Sequence, residues 1–208
     1  MEDLTIVLEG SRLVVVNKPS GMLSVPGKGP EKQDCVASRV RAMFPRATGP
    51  LVVHRLDMET SGLLVLGLDE GAQRELSGQF ERRETEKKYL ALLEGSVAQD
   101  EGEVSLPLRL DVERRPYQIV DHVQGREAVT RYRVLSREID RTRVEFVPRT
   151  GRTHQLRVHA ASGLRCPIVG DVLYGRDSGE RLMLHACRLA FVDPGTGRRV
   201  EVESPAPF

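Results

Sequence analysis

Cysteine is scarce in this 208-residue chain. The three present, Cys35, Cys166 and Cys187, are an odd number, widely spaced and without a Cys-x-x-Cys pair. That pattern excludes a disulfide scaffold and fits free thiols in a reducing compartment. The five histidines do not join the cysteines at ligand spacing, so no zinc or other metal site is expected. The cysteines read as buried structural residues. No apolar run approaches the roughly 18–20 residues of a membrane span. The start, Met1-Glu2-Asp3, is acidic and lacks the basic head and apolar stretch of a signal peptide, so a cytoplasmic location is expected. Low-complexity linkers, internal repeats and long charge blocks are also missing, and a single domain over residues 1–208 follows as the expectation.

An excess of either charge is missing too, since 31 Lys and Arg face 30 Asp and Glu. A net charge of +1 argues against a protein that coats nucleic acid nonspecifically. The charge is uneven, however. From Arg141 to Arg165 the chain carries six Arg against one Glu, with His154 and His159 added. Such a stripe is a solvated surface or a local phosphate footprint, and charge alone favours the first.

Hydrophobic periodicity places the elements. Leu13–Asn17 reads as a buried strand ended by a turn at Lys18-Pro19-Ser20-Gly21. Gln33–Phe44 reads as a helix, with Val36, Val40 and Met43 at helical spacing and Pro45 after its end. Residues 50–61 form a loop before an apolar strand, Gly62–Leu68, and an amphipathic helix follows over Glu70–Arg82. Further strands are predicted at Lys87–Leu93, Val129–Leu135, Arg143–Val147, Arg181–Ala186, Leu189–Val192 and Arg199–Val202. A short helix is predicted over Thr153–Ala161, with Thr153 near its N-cap. Strands that follow one another without intervening helices indicate α+β, with a mixed, mostly antiparallel sheet.

Three segments carry residues suited to chemistry. Val53-His54-Arg55-Leu56-Asp57-Met58-Glu59-Thr60-Ser61-Gly62 gathers a cation, a carboxylate, hydroxyls and a glycine in one loop before a buried strand. On the residues alone, Asp57 is a nucleophile, a base or a turn-capping side chain, and the last is commonest. Thr150-Gly151-Arg152-Thr153-His154-Gln155-Leu156-Arg157-Val158-His159 is either a basic surface helix or a set of cations around a helix start, where backbone N–H groups also favour phosphate. Glu86-Lys87-Lys88-Tyr89 sets an aromatic on a strand, either as half-buried packing or as a platform for a displaced base.

In this order and at these separations, the segments resemble the RluA-type pseudouridine synthases. The resemblance rests on His54 to Asp57 with Thr60-Ser61-Gly62, on Lys87-Lys88-Tyr89-Leu90-Ala91, and on Gly151 to His159. It continues through Pro167-Ile168-Val169-Gly170-Asp171 with Tyr174-Gly175, and through Leu182-Met183-Leu184-His185-Ala186. Val16-Asn17-Lys18-Pro19-Ser20-Gly21 and Leu23-Ser24-Val25-Pro26-Gly27 open it, so nearly the whole chain is covered. One departure is Arg115-Pro116-Tyr117, where the family often has Arg-Pro-Lys.

The resemblance implies a pseudouridine synthase fold, with a bent sheet, flanking helices and a central catalytic cleft in one catalytic domain. The chain looks closest to the branch without the small RNA-binding S4 domain. It implies an RNA substrate in a structured loop, in large-subunit rRNA, the tRNA anticodon stem-loop or both. A monomer that binds neither DNA nor membrane is expected. In the implied reaction the uracil N1–C1′ bond breaks, the base turns, and a C5–C1′ bond forms. That isomerisation is redox-neutral, so no cofactor is expected, and the sequence has no P-loop or dinucleotide fingerprint. Asp57 is implied as the essential carboxylate, which can attack C1′, attack C6 or promote elimination at C2′. Arg157 is implied as its cationic partner and Tyr89 as the residue packing on the target base. Arg55 would fill the space left by the flipped nucleotide, and His54, Arg152, His154 and Arg115 would contact RNA. Leu182 and Leu184 would form an apolar floor.

Overall fold

Strands β2 (Leu13–Lys18) and β3 (Ser61–Gly67) are built from the most apolar runs in the chain, and every residue of β3 is buried. The computed structural model describes residues 4–176 and 179–208. The acidic Met1-Glu2-Asp3 start, on which the signal-peptide argument rests, lies outside the described residues. The chain divides into two compact units. The first runs to Lys87 and resumes over Ala186–Pro207; the second is Lys88–His185 with Phe208.

In the first unit, β1 (Thr5–Glu9) pairs with β2, and β2 pairs with β3 in register Val15 to Val65, all antiparallel. Helix α1 (Val36–Met43) and helix α2 (Glu70–Glu81) flank these strands in sequence. Strand β10 (Leu184–Val192) pairs with β11 (Arg199–Glu203), turning through 193–198. The core joins Leu13, Val15, Leu63, Val65, Leu76, Leu189 and Phe191. Helix α2 starts because Asp69 accepts the Ala72 N–H at 2.9 Å, and Arg12 grips the same carboxylate at 2.7 and 2.8 Å.

In the second unit, strands β4 (Glu86–Glu94), β9 (Arg141–Pro148), β8 (Val129–Arg137) and β5 (Glu101–Ser105) lie side by side in that order. Their ladders are antiparallel. A separate hairpin is made by β6 (Leu108–Leu110) and β7 (Gln118–Val120). Ala91, Leu93, Val144, Phe146, Leu156, Ile168, Leu182 and Leu184 form the core, with Tyr89 packed against it. Helix α3 (Gln155–Val158) continues into a wider π-type turn over His159–Gly163.

The fold is α+β, as the sequence predicts. Four local expectations change. Helix α1 begins at Val36, because Cys35 and Ser38 form a reciprocal capping pair that stops the helix extending back to Gln33. Thr153 does not cap α3; His154 holds that position in the left-handed region at φ 52° without a side-chain cap. The strands expected at Arg181–Ala186 and Leu189–Val192 are one strand, β10, which starts only at Leu184. Strands β1, β5, β6 and β7 are absent from the sequence reading, since three- to five-residue strands bury too little to leave a clear apolar period. The three cysteines form no disulfide, and Cys35 and Cys166 are buried. No helix among the described residues is long and apolar enough to cross a membrane.

Candidate active site

Asp57 sits half-buried in a turn closed by the Thr60 N–H donating to its carbonyl at 3.1 Å. The turn is held from behind by residues 18–24. The Ser24 hydroxyl donates to Leu56 O at 2.7 Å and accepts the Leu56 N–H at 3.1 Å. Ser20 donates to Glu59 O at 2.7 Å, and the Gly21 N–H donates to Met58 O at 2.9 Å. Lys18 has no exposed surface, and its ammonium donates to the carbonyls of Pro19, Met22 and Met58 at 2.9, 2.7 and 2.8 Å. All three ammonium protons are thereby used. Burial lowers the Lys18 pKa to about 8, while the charges of Glu59 and Asp57 work to retain the proton. In the sequence this lysine belongs to a turn and to the opening motif of the resemblance, with no role attached. An uncapped Lys before Pro-Ser-Gly carries no sign of burial, so its anchoring role was not readable.

Gly62 ends the loop. Its φ is +116°, and a Cβ there would run into the backbone N and O of Ala186. That close approach requires glycine at the second residue of β3. His54 stacks on Phe80 with ring centroids 4.2 Å apart, and its Nε2 accepts the Val65 N–H at 3.2 Å. Burial, then the nearby Lys87 charge, pushes its pKa down to about 3, so the ring is neutral at physiological pH. Arg55 is exposed. This unit thus gathers Asp57, His54 and Arg55 in one loop, with the histidine ring committed to the loop's own packing.

In the second unit, Tyr89 lies half-buried on β4 opposite Phe146. It shares a cluster with Leu182 and Leu184, both almost fully buried. The segment before α3 is fixed by Gln155. Its Oε1 accepts from the Thr150 hydroxyl at 2.7 Å and the Arg152 N–H at 3.0 Å, while Nε2 donates to Val129 O and Thr130 Oγ1 at 3.1 and 2.9 Å. His159 bridges Thr130 Oγ1 and Leu106 O at 3.0 and 3.1 Å. Arg152 is half-buried and donates to Glu127 O at 3.0 Å. Arg115 is exposed between β6 and β7, and Tyr117 meets Tyr174 edge-on at 5.8 Å.

Arg157 is buried and paired with Asp171. Its Nε and Nη2 donate to the two carboxylate oxygens at 2.8 and 2.6 Å, a bidentate fork. Its guanidinium also lies 5.3 Å from the Tyr174 ring centre, and the Tyr174 hydroxyl meets His154 Nδ1 at 2.7 Å. The structure therefore brings together Arg157, His154, Asp171 and Tyr174. The last two stood in the sequence only as motif positions without a role.

A family model described as RNA pseudouridylate synthase matches residues 12–162, well over half the chain. The chain belongs to the RNA pseudouridylate synthase family. The dual-specificity RNA pseudouridine synthase RluA of Yersinia pestis is 44% identical over 210 residues, covering 99% of this chain and 100% of the relative. The RluA of Escherichia coli strain K12 is 43% identical, with 99% and 94% covered. Among solved structures, human RNA pseudouridylate synthase domain containing 1 aligns at a TM-score of 0.80 and 33% identity, over 100% of this chain and 85% of that one. Human RNA pseudouridylate synthase domain containing 4 aligns at 0.77 and 28%, over 98% and 88%. Asp57, Tyr89 and Arg157 fall within the span matched to the pseudouridylate synthase model; Asp171, Tyr174, Leu182 and Leu184 lie beyond it.

Proposed function

We propose that this enzyme isomerises uridines in both rRNA and tRNA stem-loops, with Asp57 as the carboxylate that acts on the nucleotide. The observation that carries the reading is the Asp57 turn: a half-buried carboxylate whose neighbours Leu56, Met58 and Glu59 are clamped at the backbone by Ser24, Lys18 and Ser20, with an obligatory glycine at position 62. A reacting group held by so many backbone contacts is preorganised, as a nucleophile or base must be. The near-complete match to dual-specificity relatives supports the pair of substrates.

Roles for the other residues follow from the same resemblance. Arg157 supports the charge of the carboxylate, and Tyr89 packs on the flipped uracil against the Leu182 and Leu184 floor. Arg55, exposed beside Asp57, fills the vacated stack. Arg152, His154 and Arg115 contact RNA. His54, whose ring packs on Phe80, contributes chiefly by shaping the loop. The C5 hydrogen is lost to solvent as the C5–C1′ bond forms, so release of tritium from 5-tritiated uridine reads the reaction directly. The enzyme works in the cytoplasm as a monomer.

Asp57→Ala abolishes tritium release from transcripts of the anticodon stem-loop and of rRNA hairpins while RNA binding persists. Substantial residual turnover by that variant refutes the assignment. Pseudouridine in only one of the two RNA classes refutes dual specificity.

A further inference from the structure

We infer that Asp171 is a positioning residue for the reaction, setting the Arg157 guanidinium in one orientation from behind. The inference rests on the role proposed for Arg157. The pair is more than a surface ion pair, since 4% of the arginine side chain and 0% of the aspartate side chain is exposed. Both carboxylate oxygens are used by the fork, which fixes the guanidinium plane as well as its distance.

Asp171 is itself rigidly placed. Gly170 before it has φ +76°, and a Cβ there would collide with the carbonyl of Arg181, so the chain can enter this turn only through glycine. The Asp171 Oδ1 accepts the N–H groups of Leu173 and Tyr174 at 3.0 and 3.1 Å, and the Gly175 N–H donates to the Asp171 carbonyl at 2.8 Å. One carboxylate thus shapes the turn that carries Tyr174 and orients Arg157 beneath the Tyr174 ring. The Tyr174 hydroxyl extends the set outward, accepting the Gln118 N–H of β7 at 2.8 Å. Because the fork takes Nε and Nη2, the edge of the guanidinium bearing Nη1 lies outside this pair. A fixed edge is what a reacting anion needs, and misplacing such a group by about 1 Å can cost roughly a hundredfold in rate.

Asp171→Asn tests the inference. The amide keeps the shape, and its oxygen can still accept from Leu173 and Tyr174. Its NH2 then faces the Arg157 Nε–H, donor against donor, and the fork is lost. Net charge around Arg157 rises by one, which by itself favours RNA binding. Single-turnover tritium release, measured well below the melting temperature with a saturating anticodon stem-loop, is expected to slow by about tenfold to a hundredfold. The KM for RNA stays level or falls. A merely structural aspartate would lower the melting temperature without that split. Arg157→Lys supplies a second reading that does not need Asp171 altered: charge persists, but a lysine cannot form the fork, so kcat falls as far as in Arg157→Ala. Wild-type kcat in folded Asp171→Asn, or in Arg157→Lys, overturns the inference while leaving the role of Arg157 intact if Arg157→Ala is inactive. Wild-type kcat in Arg157→Ala overturns both.

Discussion

Replacing Lys18 by methionine should damage stability and turnover together. Methionine matches the length and apolar stem of lysine but donates no hydrogen bond. The ammonium makes three bonds, to Pro19, Met22 and Met58, in a site with no solvent exposure. Hydrogen bonds to a charged group contribute about 1.5–3 kcal/mol each, and all three carbonyls would lose this donor, with Met58 O keeping the Gly21 N–H. Against this stands the cost of burying the charge. The pKa falls from 10.5 to about 8, which corresponds to roughly 3 kcal/mol that methionine does not incur. The bonds outweigh the desolvation, and the net loss is about 2–6 kcal/mol. Near the middle of that range the melting temperature drops by roughly 8–16 °C for a chain of this size.

The same substitution takes the ammonium from the Met58 carbonyl and leaves it the Gly21 N–H, so the turn one residue from Asp57 loses part of its backing. At a temperature where the variant remains folded, single-turnover tritium release should slow by about tenfold or more. Thermal melts followed by circular dichroism give the first quantity and rapid-quench kinetics the second. A variant that melts within about 2 °C of wild type and turns over at the wild-type rate would show that the three bonds are replaceable, and would refute the reasoning.

Acid should destabilise the protein through His54. Its folded pKa, about 3, lies below the unfolded value of 6.5, so the unfolded chain binds the extra proton and stability is lost as pH falls below 6.5. His54→Gln should flatten that loss by about 1.4 kcal/mol per pH unit between pH 6 and 4 in urea titrations; an unchanged slope counts against the buried neutral ring. Gly62→Ala should cost on the order of 3 kcal/mol or leave no soluble protein, because of the positive φ and the adjacent Ala186 backbone; a stable, active variant would contradict the close approach. RNA affinity should fall linearly with salt on logarithmic axes as the cations of 141–165 displace counterions, and a flat profile would remove that stripe from the RNA face.

What was legible in the sequence follows physical scale. Strands β2 and β3 are readable as short continuous apolar runs, and helix α2 because its buried residues recur three and four apart. Asp57, Tyr89 and Arg157 were singled out through the order of motifs, since no single residue type announces a role. The start of α1 was misplaced because cysteine is a poor capping residue by composition, yet Cys35 and Ser38 cap reciprocally in the fold. His154 sits where Thr153 was expected, because a left-handed residue opens α3 and no side-chain cap is needed once Gln155 binds the preceding backbone. Lys18 and Asp171 were invisible as anchors for one shared reason. Their partners are backbone groups or a side chain distant in sequence, and burial of a charge is a property of the fold alone.

The buried Asp171 also alters how Arg157 should be understood. The resemblance makes it the cationic partner of Asp57. In the fold it already shares a two-bond fork with a fully buried aspartate, so the pair is close to neutral. An arginine in that state stabilises a further anion through the direction of its remaining N–H groups, with little help from net charge. Such stabilisation depends steeply on angle and weakly on ionic strength. The chemical step should therefore be far less sensitive to salt than RNA binding is, because binding draws on exposed cations and catalysis on a buried one. Measuring kcat at saturating RNA from low to moderate salt separates the two. A kcat that falls in parallel with affinity would mean that Arg157 acts as a screened surface charge, which its burial contradicts.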